Sequence, residues 1–312
     1  MSKDKVDYFL DQQDTPEKLD NLFDKISQRR KLSDYAQDKD QRTTIKLLSD
    51  YDKEAQELLK HHGEVIGVKS GYNSIDDLTK GFKPGDLTIL AGQPSHGKTV
   101  VGNNIAYRVA KEGVPVLFVS LEMTQARIDA RILDIARRDN SDEYKKYLFV
   151  QEAPTLASKD TPMLLKKAIE EHGVELVIID HLHFLADRQA RDIRLEVGTI
   201  TQNLKNLAKE MNIPILLLCQ VSRLTDEKQK PRNSNLKESG YIEQDADIIL
   251  MVWRDISIDS ENPNEVEVYC TKNRDNGFTE DRIKHFYQEG SLLTEYGKAL
   301  IHRDEYVNPF DD

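Results

Sequence analysis

The sequence predicts an α/β fold, a mostly parallel central sheet covered by helices on both faces, preceded by a small helical region. Three observations predict it. Short apolar runs alternate with helix-period stretches from Val68 onward, as βαβ units require. Several of those runs are apolar at nearly every position, as strands buried on both faces must be. One of them, Leu87-Thr88-Ile89-Leu90-Ala91, stops at Gly92, and four residues then lead to Gly97-Lys98-Thr99 and a helical stretch from Val100 to Ala110.

That third observation also carries chemistry. Gly92, Gln93, Pro94, Ser95, His96, Gly97, Lys98 and Thr99 fit the spacing G-x-x-x-x-G-K-[ST] between a strand and a helix, the context that gives this pattern meaning. Small residues let backbone N–H groups curl round a phosphate, and the helix N-terminus beginning near Val100 adds partial positive charge. Lys98 can then reach the β- and γ-phosphates, and the Thr99 hydroxyl can hold Mg²⁺. The loop implies a nucleoside triphosphate as ligand.

Taken in order, residues 1–66 form a charged region without a strand-like run. Thr15-Pro16 offers an N-cap and a first-turn proline, and Leu19, Leu22, Phe23 and Ile26 follow at helical spacing. A second amphipathic helix reads through Ile45, Leu48, Tyr51, Ala55 and Leu58-Leu59. Two short helices make a poor core alone, so they are expected to pack on the main domain, on a neighbouring subunit or on another partner. Residues 67–300 carry the α/β domain. Gly71 to Asp86 reads as a turn-rich entry to the phosphate-loop strand. Further strands are predicted at Val114–Ser120, Glu175–Asp180, Ile213–Gln220, Asp247–Trp253 and Glu265–Cys270. Helices are predicted around Ile128–Ile135, over Thr161–Glu171 with Pro162 in the first turn, and over Leu195–Met211. Residues 301–312 form an acidic tail, read as a solvated end, with partner binding as the second reading.

Composition bounds the function. The 312 residues carry a net charge of −11, which argues against a general nucleic-acid coat, since Lys and Arg carry nonspecific phosphate binding. A focused basic channel stays compatible with it. No apolar run reaches the roughly 18 residues of a membrane span, and Met1-Ser2-Lys3-Asp4-Lys5 lacks the apolar core of a signal peptide. Cys219 and Cys270 lie in strand-like runs and read as reduced thiols of a cytoplasmic protein. His181 and His183 read as polar contacts at a strand end rather than a metal pair.

In parallel sheets ligands sit at the carboxyl ends of strands. Beyond the phosphate loop, three such ends are polar: Glu122, Asp180 and Gln220. Asp180 fits the acid that holds Mg²⁺, Glu122 could polarise an attacking water, and Gln220 could sense the γ-phosphate.

At these residues the sequence resembles the DnaB-type hexameric replicative helicases, which share the RecA-like P-loop NTPase fold. The resemblance runs from about Val68 to about Tyr296. Its most specific parts are Val119-Ser120-Leu121-Glu122-Met123, Ile178-Ile179-Asp180-His181-Leu182, Cys219-Gln220-Val221-Ser222-Arg223, and the block from Leu236 through Lys237-Glu238-Ser239-Gly240 to Asp247. It implies ATP and Mg²⁺ as cofactors, Glu122 as the base, Thr99 and Asp180 as metal-binding residues, Gln220 as γ-phosphate sensor and Arg131 as a phosphate contact. Lys272 and Arg274 match the element that reaches the ATP of the adjacent subunit. Arg223, Lys237, Glu238 and Gly240 fall where the family binds single-stranded DNA. The implied function is a ring-forming, hexameric, ATP-dependent DNA helicase of DNA replication in a bacterial or phage-infected cell. Its implied partners are a helicase loader, primase or single-strand-binding protein. The rival reading is a DNA-stimulated ATPase that does not unwind, such as a recombination mediator or remodelling factor; a binding module with silent chemistry stands third. The chain departs from the family in its short N-terminal region, in Lys237 for the more frequent arginine, in the segment after Arg274, and in His181 and His183. The helix at Ile45–Leu59 is expected to act as the family's linker helix does, docking on a neighbour.

Overall fold

Strands that must be covered on both faces organise the molecule. The computed structural model of the chain describes residues 65–152, 160–182, 193–221, 229–236, 239–257, 260–275 and 283–295. The chain divides into two compact units, Met1–Asp52 and Lys53–Asp312; the described residues all belong to the second. Both N-terminal helices expected from the sequence, and the acidic tail, lie outside the described residues.

In chain order the strands are β1 (Leu87–Gly92), β2 (Val116–Ser120), β3 (Leu148–Glu152), β4 (Leu176–Asp180) and β5 (Ile215–Gln220). They continue with β6 (Ile248–Trp253), β7 (Glu265–Asn273), β8 (Ile283–Glu289) and β9 (Leu292–Glu295). The helices are α1 (Asn73–Thr79), α2 (Lys98–Lys111), α3 (Gln125–Asp139), α4 (Thr161–His172), α5 (Ile193–Met211) and α6 (Ser239–Asp245). Among the described residues these nine strands join one sheet in the order β3-β2-β4-β5-β1-β6-β7-β8-β9. Pairing is parallel from β3 through β6, and antiparallel among β6, β7, β8 and β9. The mostly parallel sheet is as predicted; the antiparallel meander at one edge adds to it.

Side chains alternate across a strand, and here both sets are apolar. Leu90, Phe118, Ile178, Leu216 and Leu250 face one core, where they pack with Ile75 of α1, Ile105 of α2, and Ile128 and Ile132 of α3. Ile89, Val119, Ile179, Leu217 and Met251 face the other, with Leu165 of α4, Val197 and Leu204 of α5, and Ile242 of α6. This two-sided burial is why β1, β2 and β4 read as continuous apolar runs.

The segment read as a turn-rich entry contains a helix. α1 runs between Gly71 and Gly81, both in the left-handed region at φ 80° and 81°. Its buried Ile75 and Leu78 have helical spacing, but seven residues are too few for a periodic pattern to stand out. α4 begins with Pro162 in its first turn, as expected, and Cys219 and Cys270 are buried thiols not joined in a disulfide. Burial pushes the Cys219 thiol up to about 12. Among the described residues, no helix is long and apolar enough to cross a membrane.

Candidate nucleotide-binding site

Register places the polar strand ends together. Gly92 pairs with Gln220 across β1 and β5, and Ser120 pairs with Asp180 across β2 and β4. The carboxyl ends of four adjacent strands therefore form one rim, and α2 starts on it. Gly97 precedes α2 at φ 96°, a conformation that favours glycine. At Gly92 an added Cβ would lie 3.1 Å from the Val252 carbonyl oxygen and 3.6 Å from Lys98 Cβ, so the loop closes tightly against β6. Ser95 is also left-handed, at φ 69°. The phosphate-loop conformation follows from these few positions.

The loop is braced from the antiparallel edge. The Arg254 backbone N–H donates to His96 Nδ1 at 3.3 Å, and its guanidinium Nη1 donates to Gln288 Oε1 at 3.1 Å. Arg254 was not anticipated from the sequence. Its signal was close to that of Glu122: a charged residue within two positions of the end of an apolar strand, here β6.

Thr99 Oγ1 donates to Asp180 Oδ2 at 2.9 Å, which joins the first turn of α2 to the end of β4. Asp180 is buried, and burial pushes its carboxyl above the usual range. Lys98, the Thr99 hydrogen bond and Arg131 on α3 pull it back down, and Glu122 pushes it up. So Lys98, Thr99, Glu122, Arg131 and Asp180 form one electrostatic group. A bound Mg²⁺ would favour the ionised carboxylate. Asp180 Oδ1 is buried with no hydrogen-bond partner among the described residues, so the donor set fits a cation. Glu122 is half exposed, with His181 Nδ1 3.2 Å from its Oε2. That makes His181 the strand-end polar contact expected, but its partner belongs to a different strand end. His183 lies outside the described residues.

Lys272 and Arg274 are elsewhere. Asn273 pairs with Ile248 at the start of β6, whereas Gly92 pairs with Val252 near its end. Four residues of strand at roughly 3.3 Å each put the two cations about 13 Å down the sheet from the phosphate loop. There Arg274 donates from Nη1 to Asp247 Oδ1 at 2.9 Å and from Nη2 to the Gln244 carbonyl at 3.0 Å. Lys272 Nζ donates to the carbonyls of Glu243 and Ala246, the latter at 2.6 Å. Burial, then the charge of Arg274, holds the Lys272 ammonium below its usual range. The structure brings neither cation to its own chain's phosphate loop. Gly240 lies in the first turn of α6 with open space where a Cβ would stand. Arg223, Lys237 and Glu238 lie outside the described residues.

The same lower end holds a buried ion group. Asp247 Oδ2 accepts from Lys205 Nζ and from the Leu87 N–H at 2.9 Å, and Lys205 also approaches Asp86 at 3.5 Å. Burial, then the Asp247 charge, raises Asp86 to about 6, against the pull of Lys205. A carboxyl whose folded value exceeds its unfolded one opposes folding when ionised. That cost is fully present above pH 6 and is relieved as pH falls from about 6 to about 4. Asp86→Asn is therefore expected to stabilise by about 1–2 kcal/mol at pH 8, or roughly 3–6 °C. The gain should shrink toward pH 4 when melting is followed by circular dichroism across pH. An equal gain at both ends would refute the assignment.

Fold and site together define the RecA-like P-loop class of α/β proteins. The chain belongs to the DnaB-like helicase family: the model of the DnaB-like helicase C-terminal domain matches residues 67–145 and 137–291. The replicative DNA helicase DnaB of Haemophilus influenzae is 32% identical over 278 residues, covering 80% of this chain and 59% of that protein. The corresponding Geobacillus stearothermophilus protein is 30% identical, covering 87% of this chain and 63% of its own length. A probable replicative DNA helicase of Trieres chinensis is 34% identical, covering 67% and 52%. The chain thus spans between 52% and 63% of the length of these relatives. Among solved structures, the ATPase domain of another protein superposes with a TM-score of 0.69 at 25% identity, covering 81% of this chain and 99% of that one. A DnaB-like replicative helicase, studied with its primase interactions, has the same fold, with a TM-score of 0.67 at 23% identity over 89% of this chain and 76% of its own.

Proposed function

We propose that residues 67–300 are the motor of an ATP-dependent DNA helicase that works as a homo-hexameric ring in DNA replication. One observation carries the ring. The phosphate loop and its acids stand at one end of the sheet, while Lys272 and Arg274 stand at the other. A cation that cannot reach its own nucleotide can complete the site of the next copy, and such head-to-tail contacts close into a ring when the rotation between copies brings the last back to the first. Membership of the DnaB-like family supports the same reading.

In this proposal Gly92 to Val100 wrap the phosphates with backbone N–H groups, and Lys98 reaches the β- and γ-oxygens. Thr99 and Asp180 hold the Mg²⁺. When bound, that ion neutralises charge on the β- and γ-phosphates. Arg131 adds a cation near Asp180. Glu122 takes the proton of the attacking water, and Gln220, beside Gly92, reports the γ-phosphate to the DNA side. Lys272 and Arg274 of the neighbouring copy stabilise transition-state charge. Arg223, Lys237, Glu238 and Gly240 track single-stranded DNA along its backbone. A loader, primase or single-strand-binding protein is the expected company, in the cytoplasm of a bacterial or phage-infected cell.

A forked-duplex unwinding assay tests this, with Lys98→Ala as the inactive control. ATP-dependent strand separation, lost in Lys98→Ala, is the expected result. Hydrolysis stimulated by single-stranded DNA without strand separation would favour a non-unwinding ATPase, a recombination mediator or remodelling factor.

A further inference from the structure

Asp180 offers its two oxygens to different neighbours. Oδ2 accepts from Thr99, on the side where the nucleotide's Mg²⁺ is proposed. Oδ1 is buried without a hydrogen-bond partner among the described residues. His181 Nδ1 stands 3.8 Å from that oxygen and 3.2 Å from Glu122 Oε2. All three donor atoms lie within 4.8 Å of one another.

We propose that Glu122, Asp180 and His181 form a site for a divalent transition-metal ion, for which Mn²⁺ serves as the paramagnetic probe, separate from the Mg²⁺ position at Thr99. An ion bonded at about 2.0–2.2 Å holds adjacent donors about 3 Å apart. The 3.2 Å between His181 and Glu122 is already close to that, and the 3.8 Å between His181 and Asp180 is longer and closes by a small shift of the imidazole. The third is closed by rotation of Glu122, whose side chain is 52% exposed and so is free to turn. One imidazole nitrogen and two carboxylate oxygens on one side of an ion leave its other positions to water. The nitrogen gives the site its preference: Mg²⁺ favours oxygen donors in strict octahedral geometry, whereas imidazole suits later divalent ions. Binding here needs no nucleotide, so it stands independently of the hydrolysis proposed above. It adds to the expectation from sequence, which put metal at Thr99 and Asp180 and read His181 as a polar contact.

Mn²⁺ titration of the nucleotide-free, full-length protein in excess Mg²⁺, followed by electron paramagnetic resonance, tests the site. The expected result is a single tightly held Mn²⁺ per chain whose pulsed spectrum carries ¹⁴N modulation from a directly bound imidazole. His181→Gln should abolish the modulation and weaken binding by about tenfold or more. Glu122→Gln, at a side chain that is about half exposed, should weaken binding comparably. Thr99→Ala should retain both binding and modulation. If His181→Gln does not fold, ¹⁵N-histidine labelling of the unsubstituted protein decides, since it must change the modulation. No retained Mn²⁺, or retained Mn²⁺ without a nitrogen signal, would overturn the proposal.

Discussion

Glu122→Gln is expected to lower kcat for ATP hydrolysis by about 10²–10⁴-fold, the span of a lost general base. Nucleotide affinity should hold or tighten slightly. The substitution preserves the side chain's shape and removes its capacity to take a proton. It also removes a negative charge that pushes Asp180 toward its neutral form, so the carboxylate proposed to hold Mg²⁺ is favoured. Loss of chemistry without loss of binding separates a base from a phosphate ligand. Rapid-quench hydrolysis alongside binding of a fluorescent nucleotide measures both. Hydrolysis within about threefold of the unsubstituted rate would move the base elsewhere, since a positioned base contributes far more than that.

How much of this was legible in the sequence depends on how each residue is held. β1, β2, β4 and β5 could be read because both faces are buried and the runs are apolar throughout. β3 could not. It is an edge strand whose final residues, Gln151 and Glu152, are exposed, so its pattern breaks off after three apolar positions. β8 mixes charged, polar and aromatic residues, and β9 has four residues; neither forms an apolar run. The antiparallel edge they build was therefore invisible, and with it the way Arg254 and Gln288 brace the phosphate loop. Glu122, Asp180 and Gln220 were legible because each ends a readable strand or, for Glu122, follows one by two residues. The approach of His181 to Glu122 was not, because it depends on β2 and β4 being neighbours in the sheet. Sequence order says nothing of that.

Arg274→Ala is expected to lower ATP hydrolysis by about 10³-fold or more, as the loss of a cation supplied to the γ-phosphate in trans does. The fold should survive. Asp247 keeps Lys205 and the Leu87 N–H after Arg274 is removed, so no buried carboxylate is left uncompensated. In its own chain Arg274 is 49% exposed and is held at Asp247 and Gln244, which engages one N–H of each Nη and leaves the remaining donors for a partner. The deciding measurement is complementation. Neither Arg274→Ala nor Lys98→Ala should hydrolyse ATP alone. Mixed, they should recover activity, because an Arg274→Ala chain offers an intact phosphate loop to the intact arginine of a Lys98→Ala neighbour. Random assembly makes about one interface in four complete, so recovery to roughly a quarter of the unsubstituted rate is the ceiling for independent sites. No recovery at any mixing ratio, with rings of unchanged mass by light scattering, would show that the two residues do not meet across an interface. The separation of Arg274 from its own phosphate loop would then serve stability alone.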